Sequence, residues 1–565
     1  MIILSLTNHN ESSAAIYNSK TNEIYAVSEE RFSRIKNCSG NPEKSIRFLL
    51  SKMKIDLSNV DKIFYCSHRS VFPNKKFYKQ IIKEKNSLNN YDKKVFIKRF
   101  NTEVKFNRKY ILNFKKWLKK YKINKKKVSY LDHHEAHARS AIICQKKKRG
   151  FVLTADGKGG FTSSALWKFD KDKLSCLVRN STFNSLGYFY GNITIGLGFK
   201  AERHEGKVTG LSSFGTSINQ IGFNKVFKIQ KTKILARNVK KNFIPFFLRG
   251  KNKFDISEFN RDIKIYSKED IAATSQCLLE KIFNEYIKIN VPSYSNLLLS
   301  GGIFANVKLN KSIKEINLNR YLFVSPPMSD TGLCLGGIQK YTKKIGLIKD
   351  MYLGCDFTDY EILKIIKKQK NLKFKIYNDR NNLFDFVVKK LNNLKLFGIF
   401  DSKMEFGPRS LGNRSIIFSA TNIEINKIVN KRLNRSDFMP FAPVTIDKFV
   451  KKNFLNFKKF DDLSKFMTVT YKCTKYFIKK YKAACHIDGT ARPQVLYEVD
   501  NPWFYKILKY YYKKTKNTCL MNTSFNNHEE PIVCSPSDAI KSLMRNNVDY
   551  IIFNKKILVF KNNLS

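Results

Sequence analysis

Short apolar runs that end in polar, mostly glycine-containing turns recur through the first 350 residues, and they constrain the fold more than any other feature. Three of these runs span 151–155, 296–300 and 322–324. Apolar runs bounded by turn residues predict buried strands. Glycines after a strand let backbone N–H groups approach an anion closely, so the pattern predicts an α/β domain with an anion site at its strand ends.

The length of the chain predicts more than one hydrophobic core. Its 565 residues exceed the usual size of a single core, and its hydrophobic content of 42% supports globular folding. A new succession of strand and helix patterns begins near Tyr352. We therefore predict two domains, residues 1–350 and 351–565.

Three of the eight histidines, His133, His134 and His137, lie within five residues. On a helix, His133 and His137 share one face because they are four residues apart. Two neutral imidazoles with a carboxylate from elsewhere make a minimal site for a divalent transition metal, and Asp330, in a loop after a predicted strand, is the candidate carboxylate. A helix start with capping or buried polar residues explains the same stretch equally well, so both interpretations stay open.

Asp156 follows a predicted buried strand and precedes a glycine-rich turn. This position makes it a candidate to orient a metal-bound ligand or a substrate hydroxyl. A tight hairpin is the alternative, because Asp-Gly is a favoured turn pair. Lys207 lies close to Glu205 in another glycine-rich stretch and is a further candidate catalytic residue.

Four compact polar motifs occupy the second half of the chain, at 403–415, 431–443, 486–494 and 522–526. A guanidinium group binds phosphate or carboxylate in two places at once. Several arginines set among Gly, Pro, Asn and Ser therefore predict one shared pocket for a polyphosphate-bearing ligand. Separate surface ion pairs, which stabilise little, are the alternative.

The formal net charge is +59, with 105 Lys and Arg residues against 46 Asp and Glu residues. Lysine is abundant throughout, so we interpret this charge as a global compositional bias and expect no dedicated nucleic-acid binding. The basic stretches 73–127 and 225–265 are predicted to be surface insertions, the first of them helical and solvated. They are also candidates to shape substrate specificity.

The eleven cysteines are scattered, and no Cys-x-x-Cys pattern occurs. This argues against a thiolate zinc site or a disulfide framework and for a reducing cytoplasm. No apolar run of about 18 residues predicts a membrane span. The apolar start, residues 1–6, lacks a basic region and is expected to be a first strand, not a signal peptide.

Taken together, the motifs resemble the carbamoyltransferase family, which includes the nodulation (NodU) and aminoglycoside-antibiotic O-carbamoyltransferases. The matching stretches of the first half are 9–15, 29–34, 133–137, 154–157, 205–207, 300–302 with Asn306, and 330–332. Those of the second half are 405–415, 440–443, 492–494 and 522–526. No single motif is diagnostic, but their order and coverage make the resemblance specific.

This resemblance implies an α/β, actin-like ATPase (ASKHA) first domain, similar to the ATPase of tRNA threonylcarbamoylation, and an α+β, YrdC-like second domain. It implies an O-carbamoyltransferase for which ATP, with Mg²⁺, and carbamoyl phosphate are the substrates. Carbamoyl-adenylate forms in the second domain. The carbamoyl group then passes, in the first domain, to a small-molecule acceptor hydroxyl, which we expect on a sugar or secondary metabolite. Whether the protein is a monomer or a homodimer stays open.

The resemblance also assigns residues. It implies an Fe²⁺ ion, or another divalent metal, bound by His133, His137 and Asp330. The candidate catalytic residues are His137, Lys207 and Asp156, and for Asp156 we infer from its position that it orients or deprotonates the acceptor hydroxyl. The candidate nucleotide-binding residues of the first domain are Gly301, Gly302 and Asn306. The phosphate and adenylate ligands expected in the second domain are Lys403, Arg409, Arg414, Arg435, Arg492, Asn522 and Ser524.

Two other functions stay open. A metal-dependent hydrolase of the zincin type needs a His-Glu-x-x-His pattern, and Glu135 does not occupy the position of its general base. A tRNA-modifying or RNA-binding transferase would make use of the high positive charge.

Overall fold

The computed structural model describes residues 1–67, 72, 74–86, 90–222, 226–236, 264–317, 320–435, 440–457 and 461–562. The chain forms two compact units. The first comprises Met1–Glu29 and Cys38–Lys349. The second comprises the chain from Asp350 onward and the short segment Glu30–Asn37, which contains helix α1 (Glu30–Ser33).

Strands of the first unit fall into two five-stranded sheets and a hairpin. In chain order they are β1 (Ile2–Thr7), β2 (Ser13–Asn18), β3 (Glu23–Ser28), β4 (Lys62–Tyr65), β5 (Val128–Tyr130), β6 (Arg149–Gly159), β7 (Thr162–Asp170), β8 (Lys173–Ser181), β9 (Phe227–Gln230), β10 (Lys233–Ala236), β11 (Leu297–Ser300) and β12 (Leu322–Val324).

The two larger sheets repeat one topology. Their strand orders are β3-β2-β1-β4-β5 and β12-β11-β6-β7-β8. In each sheet the first three strands in chain order are antiparallel, and the remaining two run parallel to the first. A duplicated sheet of this kind is the actin-like architecture, which confirms the predicted fold class. The predicted strands at 151–155, 296–300 and 322–324 correspond to β6, β11 and β12.

Two helices, α5 and α10, pack against each other and against the two sheets. The helices of the first unit are α2 (Glu43–Met53), α3 (Lys75–Asn86), α4 (Asn90–Lys120), α5 (His133–Ile143), α6 (Leu186–Gly196), α7 (Glu205–Leu211), α8 (Lys268–Asn290), α9 (Val307–Ile316) and α10 (Leu333–Thr342). Gly336 permits the close approach, because a Cβ there would lie 2.3 Å from the carbonyl oxygen of Ala136. Helix α5 follows the last strand of the first sheet and α10 follows the last strand of the second, so the turns before them occupy equivalent places in the repeat.

Helix α4 corrects the prediction for residues 73–127. The stretch is helical, as predicted, but one face of α4 is buried and not solvated. Phe114 is fully buried and stacks on Tyr65 of the first sheet, with ring centroids 4.1 Å apart. The many lysines of this stretch predicted a solvated helix. The aromatic side chains of α4, however, form a contact with the core. Of the predicted insertion at 225–265, the part from 237 to 263 lies outside the described residues.

An eight-stranded mixed sheet is the centre of the second unit, in the order β13-β22-β21-β14-β15-β20-β16-β19. Its strands, with those of a small ribbon, are β13 (Leu372–Ile376), β14 (Phe397–Phe400), β15 (Arg414–Ser419), β16 (Ala442–Ile446), β17 (Tyr471–Lys472), β18 (Thr490–Ala491), β19 (Gln494–Leu496), β20 (Cys519–Ser524), β21 (Tyr550–Phe553) and β22 (Ile557–Lys561). The helices are α11 (Asp359–Ile366), α12 (Arg380–Asn392), α13 (Glu424–Arg432), α14 (Val450–Asn453), α15 (Asp462–Lys465), α16 (Lys475–Lys480), α17 (Pro502–Thr515) and α18 (Pro536–Met544).

Helices α12 and α17 pack on this sheet through apolar residues spaced three or four apart. Leu383 and Val387 of α12, and Phe504 and Leu508 of α17, belong to one buried core with residues of β14, β15, β20 and β21. This spacing is typical of helices with one buried face. The resulting α+β architecture agrees with the predicted class of the second domain. In the part of the chain that the structure describes, no helix combines the length and apolarity needed to cross a membrane.

Candidate metal centre and anion pocket

Four side chains of the first unit converge at the ends of its two sheets. His133 and His137 lie in the first turns of α5, and Asp330 lies in the turn before α10. The fourth is Asp156, on β6. Their ligand atoms all lie within 4.8 Å of one another. The structure thus brings together the three predicted metal ligands and adds Asp156, which the sequence suggested only as a catalytic or orienting residue.

Distances within the cluster suit donors around one centre. His137 Nε2 lies 3.0 Å from Asp156 Oδ2 and 3.5 Å from Asp330 Oδ1. His133 Nε2 lies 3.7 Å and 3.4 Å from the same two oxygens. Asp132 begins the helix: its Oδ1 accepts a hydrogen bond from the backbone N–H of Glu135, and this N-cap fixes the start of the helix that carries both histidines.

The donor set fits a divalent transition metal. His133 Nε2 is buried and has no hydrogen-bond partner among the described residues. Burial alone would lower the pKa of His137, but the two carboxylates raise it to about 9. Burial opposes ionisation of Asp156, yet the neighbouring histidines hold its pKa well below its usual range. Two imidazoles and two carboxylates are ligands that iron, zinc and manganese accept, and a metal ion would take the place of the shared proton.

Glycines after β11 allow the backbone to approach Asp156. Gly301 has φ +108°, and a Cβ on it would lie 2.1 Å from the carbonyl oxygen of Ala155. A Cβ on Gly302 would lie 2.9 Å from Asp156 Oδ1. Both glycines therefore support the position of the carboxylate. Their predicted contact with a nucleotide stays a prediction.

His134 has a structural role, as the alternative interpretation proposed. Its Nδ1 lies 3.0 Å from Thr154 Oγ1 and its Nε2 lies 3.1 Å from the carbonyl oxygen of Thr162. Complete burial, followed by the charges of the neighbouring histidines, lowers its pKa well below the usual value. His134 is therefore neutral and joins α5 to the second sheet.

His9, the first residue of the matching stretch 9–15, lies beside the cluster, but the sequence analysis gave it no role of its own. It lies in the turn between β1 and β2, and its ring centroid is 6.0 Å from that of His133. Its Nε2 lies 2.6 Å from Ser67 Oγ. This turn in the first sheet is equivalent to the turn that follows Asp156 in the second. The available sequence signal was the polar residues between two predicted strands.

A small cavity of about 20 Å³ lies beside His9 and His133, enough for about one water molecule. Its other lining residues are Phe106, Asn107, Tyr110, Lys158, Gly159 and Gly160. Helix α4 thus forms one wall of the site. Oε2 of Glu103, a residue of α4, lies 2.7 Å from Lys158 Nζ. The glutamate therefore neutralises the charge of this lysine within the wall.

Two further predicted residues of the first unit lie on other elements. Asn306 begins α9: its Oδ1 accepts a hydrogen bond from Leu309 N, and its Nδ2 donates to Gln276 Oε1. The side chain is thus committed to the fold, which argues against its predicted role in nucleotide binding. Lys207 lies on α7, with Nζ 5.7 Å from the ring centroid of Phe199, and its catalytic role stays a prediction.

Glu135 does not take part in the metal cluster. Its Oε1 accepts hydrogen bonds from Arg139 Nε at 2.7 Å and Lys340 Nζ at 3.0 Å. A carboxylate held in two ion pairs is a poor general base, so the hydrolase alternative lacks its key residue.

In the second unit, the predicted residues Arg409, Arg435 and Arg492 lie in segments that meet at the end of β20, where Asn522 Nδ2 donates to the carbonyl oxygen of Ser410 and to Gln494 Oε1. Arg435 is oriented by the loop 523–526, where its guanidinium donates to Thr523 Oγ1 at 2.5 Å and to Ser524 Oγ at 3.3 Å. Burial lowers the pKa of Arg435 and of Arg492 to about 10 each. Burial and the charge of Arg492 lower the pKa of Arg409 strongly. Arg409 and Arg492 are thus two partly buried like charges close enough to interact, and such a pair favours an anion as its ligand.

Arg414 corrects a further prediction. Its side chain is 0% exposed, and its guanidinium donates to the backbone carbonyls of Asp401, Asn413, Cys355 and Ser402. It also lies 3.6 Å from the ring centroid of Phe400. A phosphate group has no access to it, so Arg414 stabilises the fold and does not bind the ligand.

Asn522 and Lys403 keep open roles. Asn522 is buried and donates from Nδ2 to Gln494 Oε1 at 2.7 Å. The backbone carbonyl of Lys403 accepts a hydrogen bond from Asn413, which places this residue in the same loop as Arg409. Ligand contacts of both residues stay predictions.

Comparison with known families matches both halves of the chain. Residues 3–338 match the family described as Carbamoyltransferase N-terminus, and residues 388–560 match Carbamoyltransferase C-terminus. An uncharacterised protein, MJ1051, of Methanocaldococcus jannaschii is 31% identical, covering 99% of each chain. The nodulation protein NolNO of Sinorhizobium fredii is 25% identical over 95% of this chain and 77% of its own.

Among solved structures, component A of (R)-2-hydroxyglutaryl-CoA dehydratase of Acidaminococcus fermentans aligns with 61% of this chain and 98% of its own, with a TM-score of 0.36 and 12% identity. HypF of T. kodakarensis aligns with 60% of this chain and 48% of its own, with a TM-score of 0.29 and 13% identity. Likenesses of this extent carry no functional argument.

Proposed function

The chain belongs to the carbamoyltransferase family, and we propose that it carbamoylates a hydroxyl group of a small-molecule acceptor. The overall reaction has two stages. Carbamoyl phosphate, ATP and water give carbamoyl-adenylate, pyrophosphate and phosphate. The acceptor oxygen then attacks the carbamoyl carbon, the bond to the phosphate oxygen of AMP breaks, and AMP leaves.

Adenylate formation is assigned to the second unit. The observation that supports this is the group of partly buried cationic side chains, Arg409, Arg435 and Arg492, on segments joined through Asn522. Their charge would be compensated by the triphosphate of ATP and by carbamoyl phosphate. We expect Mg²⁺ to accompany the nucleotide, as it usually does with polyphosphates.

Carbamoyl transfer is assigned to the first unit. The single observation that carries this assignment is the convergence of His133, His137, Asp156 and Asp330 at one point, with ligand atoms within 4.8 Å of one another. These four side chains would hold a divalent metal, with Fe²⁺ as the expected ion. When bound, such an ion supplies Lewis-acid polarisation of a carbonyl or phosphoryl oxygen.

His9 is the proposed proton acceptor for the attacking hydroxyl. Its ring borders the cavity beside His133, and Ser67 Oγ lies 2.6 Å from Nε2 and fixes the orientation of the ring. An imidazole has an ordinary pKa near the working pH, which suits proton transfer in both directions. Asp156, placed as a metal donor, is better suited to orient the reacting groups than to remove the proton.

The wall that α4 forms beside the cavity favours an uncharged, hydroxyl-bearing acceptor. Asn107 and Tyr110 offer an amide and a phenol to the cavity, and Glu103 neutralises Lys158. Such groups suit the hydroxyls of a sugar or a similar secondary metabolite. The helical insertion is thus the proposed specificity element.

The test is a pyrophosphate assay with the full-length protein. Incubation with ATP, Mg²⁺, ferrous iron and carbamoyl phosphate should release pyrophosphate and form carbamoyl-AMP, detected by mass spectrometry. Omitting carbamoyl phosphate should abolish the release. Equal release without carbamoyl phosphate would show that the proposed first stage is wrong. Release that requires added tRNA would favour the RNA-modifying alternative.

A further inference from the structure

The segment 30–37 stands apart from its neighbours in the chain because it belongs to the second unit. In sequence it lies within the part, residues 3–338, that matches the N-terminal half of the family. Its side chains contact residues that follow it by several hundred positions. An element from the start of the chain is therefore built into the unit that contains the cationic pocket.

Arg31 holds the loop that carries Arg409. Its side chain is 5% exposed, and its Nη2 donates to the carbonyl oxygen of Gly407 at 3.1 Å. Its Nη1 is 3.0 Å from Glu30 Oε1, which balances the buried charge. Gly407 has φ +123°, a conformation that favours glycine, and it lies two residues before Arg409.

The other side of this loop is fixed by Glu405. Its Oε1 accepts hydrogen bonds from the backbone N–H groups of Leu411 and Asn413, both at 2.7 Å. Arg409 thus lies between two anchored points. Arg31 provides the anchor on one side, and Glu405 provides the anchor on the other.

Arg34 holds the second loop of the pocket. It donates from Nη1 to the carbonyl oxygen of Ile532 and from Nη2 to that of Pro531, each at 2.7 Å. The loop between Ser524 and Ile532 includes Asn526, whose Nδ2 donates to the carbonyl oxygen of Glu530 at 2.7 Å. The Oδ1 of Asn526 accepts a hydrogen bond from Arg435, so this loop sets the position of that guanidinium.

We propose that Arg31 and Arg34 are positioning residues of the anion site in the second unit, and that this site is incomplete without the segment 30–37. Neither residue is assigned a contact with the ligand. Each acts by fixing a loop that presents another arginine, Arg409 in one case and Arg435 in the other. The proposal rests on the proposed function for the identity of the ligands, ATP and carbamoyl phosphate, but not for the existence of the anion site.

The test uses the full-length protein with the variants Arg31→Ala, Arg34→Ala and the double variant. Binding of inorganic pyrophosphate, measured by titration calorimetry, serves as a probe that needs no turnover. Each single variant should weaken pyrophosphate binding by about 10-fold to 100-fold, because a small displacement of a positioned group costs this much. Pyrophosphate release should show a raised KM for ATP and carbamoyl phosphate. Arg31→Lys, which keeps one donor for Gly407, should restore part of the binding, and added guanidinium ion should partly rescue Arg31→Ala.

Arg380→Ala is the matched control, because Arg380 is an exposed arginine at the start of α12 in the same unit and lies outside both loops. It should leave binding unchanged. Circular dichroism and metal binding by the first unit verify that each variant is folded. Unchanged pyrophosphate affinity in the folded double variant, or no pyrophosphate binding by the wild-type protein, would overturn the proposal. Wild-type binding without carbamoyl-phosphate-dependent release would overturn only the proposed function.

Discussion

His137 Nε2 lies 3.0 Å from Asp156 Oδ2, although the two residues belong to different halves of a duplicated fold. His137 follows the last strand of one sheet, and Asp156 lies on the first strand of the other. Asp330 lies in the turn between β12 and α10 of the second sheet. This position in the repeat corresponds to the region between β5 and α5 of the first. The repeat therefore builds one candidate metal centre from both of its copies, and this cluster of donors forms only when the two sheets are packed together.

Replacing His137 with Ala tests the assignment of the two stages to the two units. Loss of one imidazole donor should weaken divalent metal binding by more than about 100-fold and abolish carbamoyl transfer. Pyrophosphate release should persist, because the arginine pocket lies in the second unit. Metal titration and the two product assays measure these effects. Loss of both stages in a folded variant would contradict the division of labour.

His134→Gln is the control on the same helix. Gln can keep one of the hydrogen bonds that His134 makes with Thr154 and Thr162, and it removes no metal donor. Metal binding should be retained, while the melting temperature should fall because a well-packed, fully buried ring is lost.

Helical spacing and a strand-to-loop position are local patterns, so the sequence could suggest His133, His137 and Asp330 as one group, and the structure brings them together. Their role as metal ligands stays a prediction. The sequence could not place Asp156 among the donors, because that depends on how β6 lies beside α5. It also could not separate Arg414 from Arg409. Both are arginines in one polar motif, and only the packing shows which is surrounded by backbone carbonyls.

The same limitation explains the prediction for α4. Its lysines dominate the composition, but its aromatic residues face the first sheet and the metal centre. The fold class was easier to predict from the sequence than these details. The order of strands and glycine turns can be read along the chain, whereas contacts between distant segments depend on packing.

Gly301→Ala should disturb the candidate metal centre. The backbone at φ +108° strains any side chain, and the new Cβ would lie 2.1 Å from the carbonyl oxygen of Ala155. Unfolding free energy should fall by about 2 to 5 kcal/mol, and metal affinity should fall with it. Gly206→Ala is the control: Gly206 lies in α7 with open space around it, so the variant should be stabilised by up to about 1 kcal/mol. Equal melting temperatures for the two variants would contradict the role of Gly301.

Arg409→Met and Arg414→Met should have opposite consequences. The first removes a cation from the pocket and should lower pyrophosphate release by about 100-fold or more with the fold retained. The second leaves several buried carbonyls without their donor and should lower the unfolding free energy by about 3 kcal/mol or more. Thermal unfolding and the pyrophosphate assay distinguish the two. A stable, inactive Arg414→Met variant would show that Arg414 does bind the ligand.

Glu205 should make the stability of the first unit depend on pH. Burial raises the pKa of its carboxyl group to about 7, above the ordinary value of 4.5. The folded state therefore binds the proton more tightly than the unfolded state, so stability is highest below pH 4.5 and decreases as pH rises toward 7. Glu205→Gln mimics the protonated form and should be more stable than the wild type at pH 8 by about 1 to 3 kcal/mol, with little difference at about pH 4. Calorimetric unfolding between these pH values measures the effect, with the exposed Glu285→Gln as the control. Parallel pH profiles for the wild type and Glu205→Gln would show that the Glu205 carboxyl group is ionised in the folded protein like any surface glutamate.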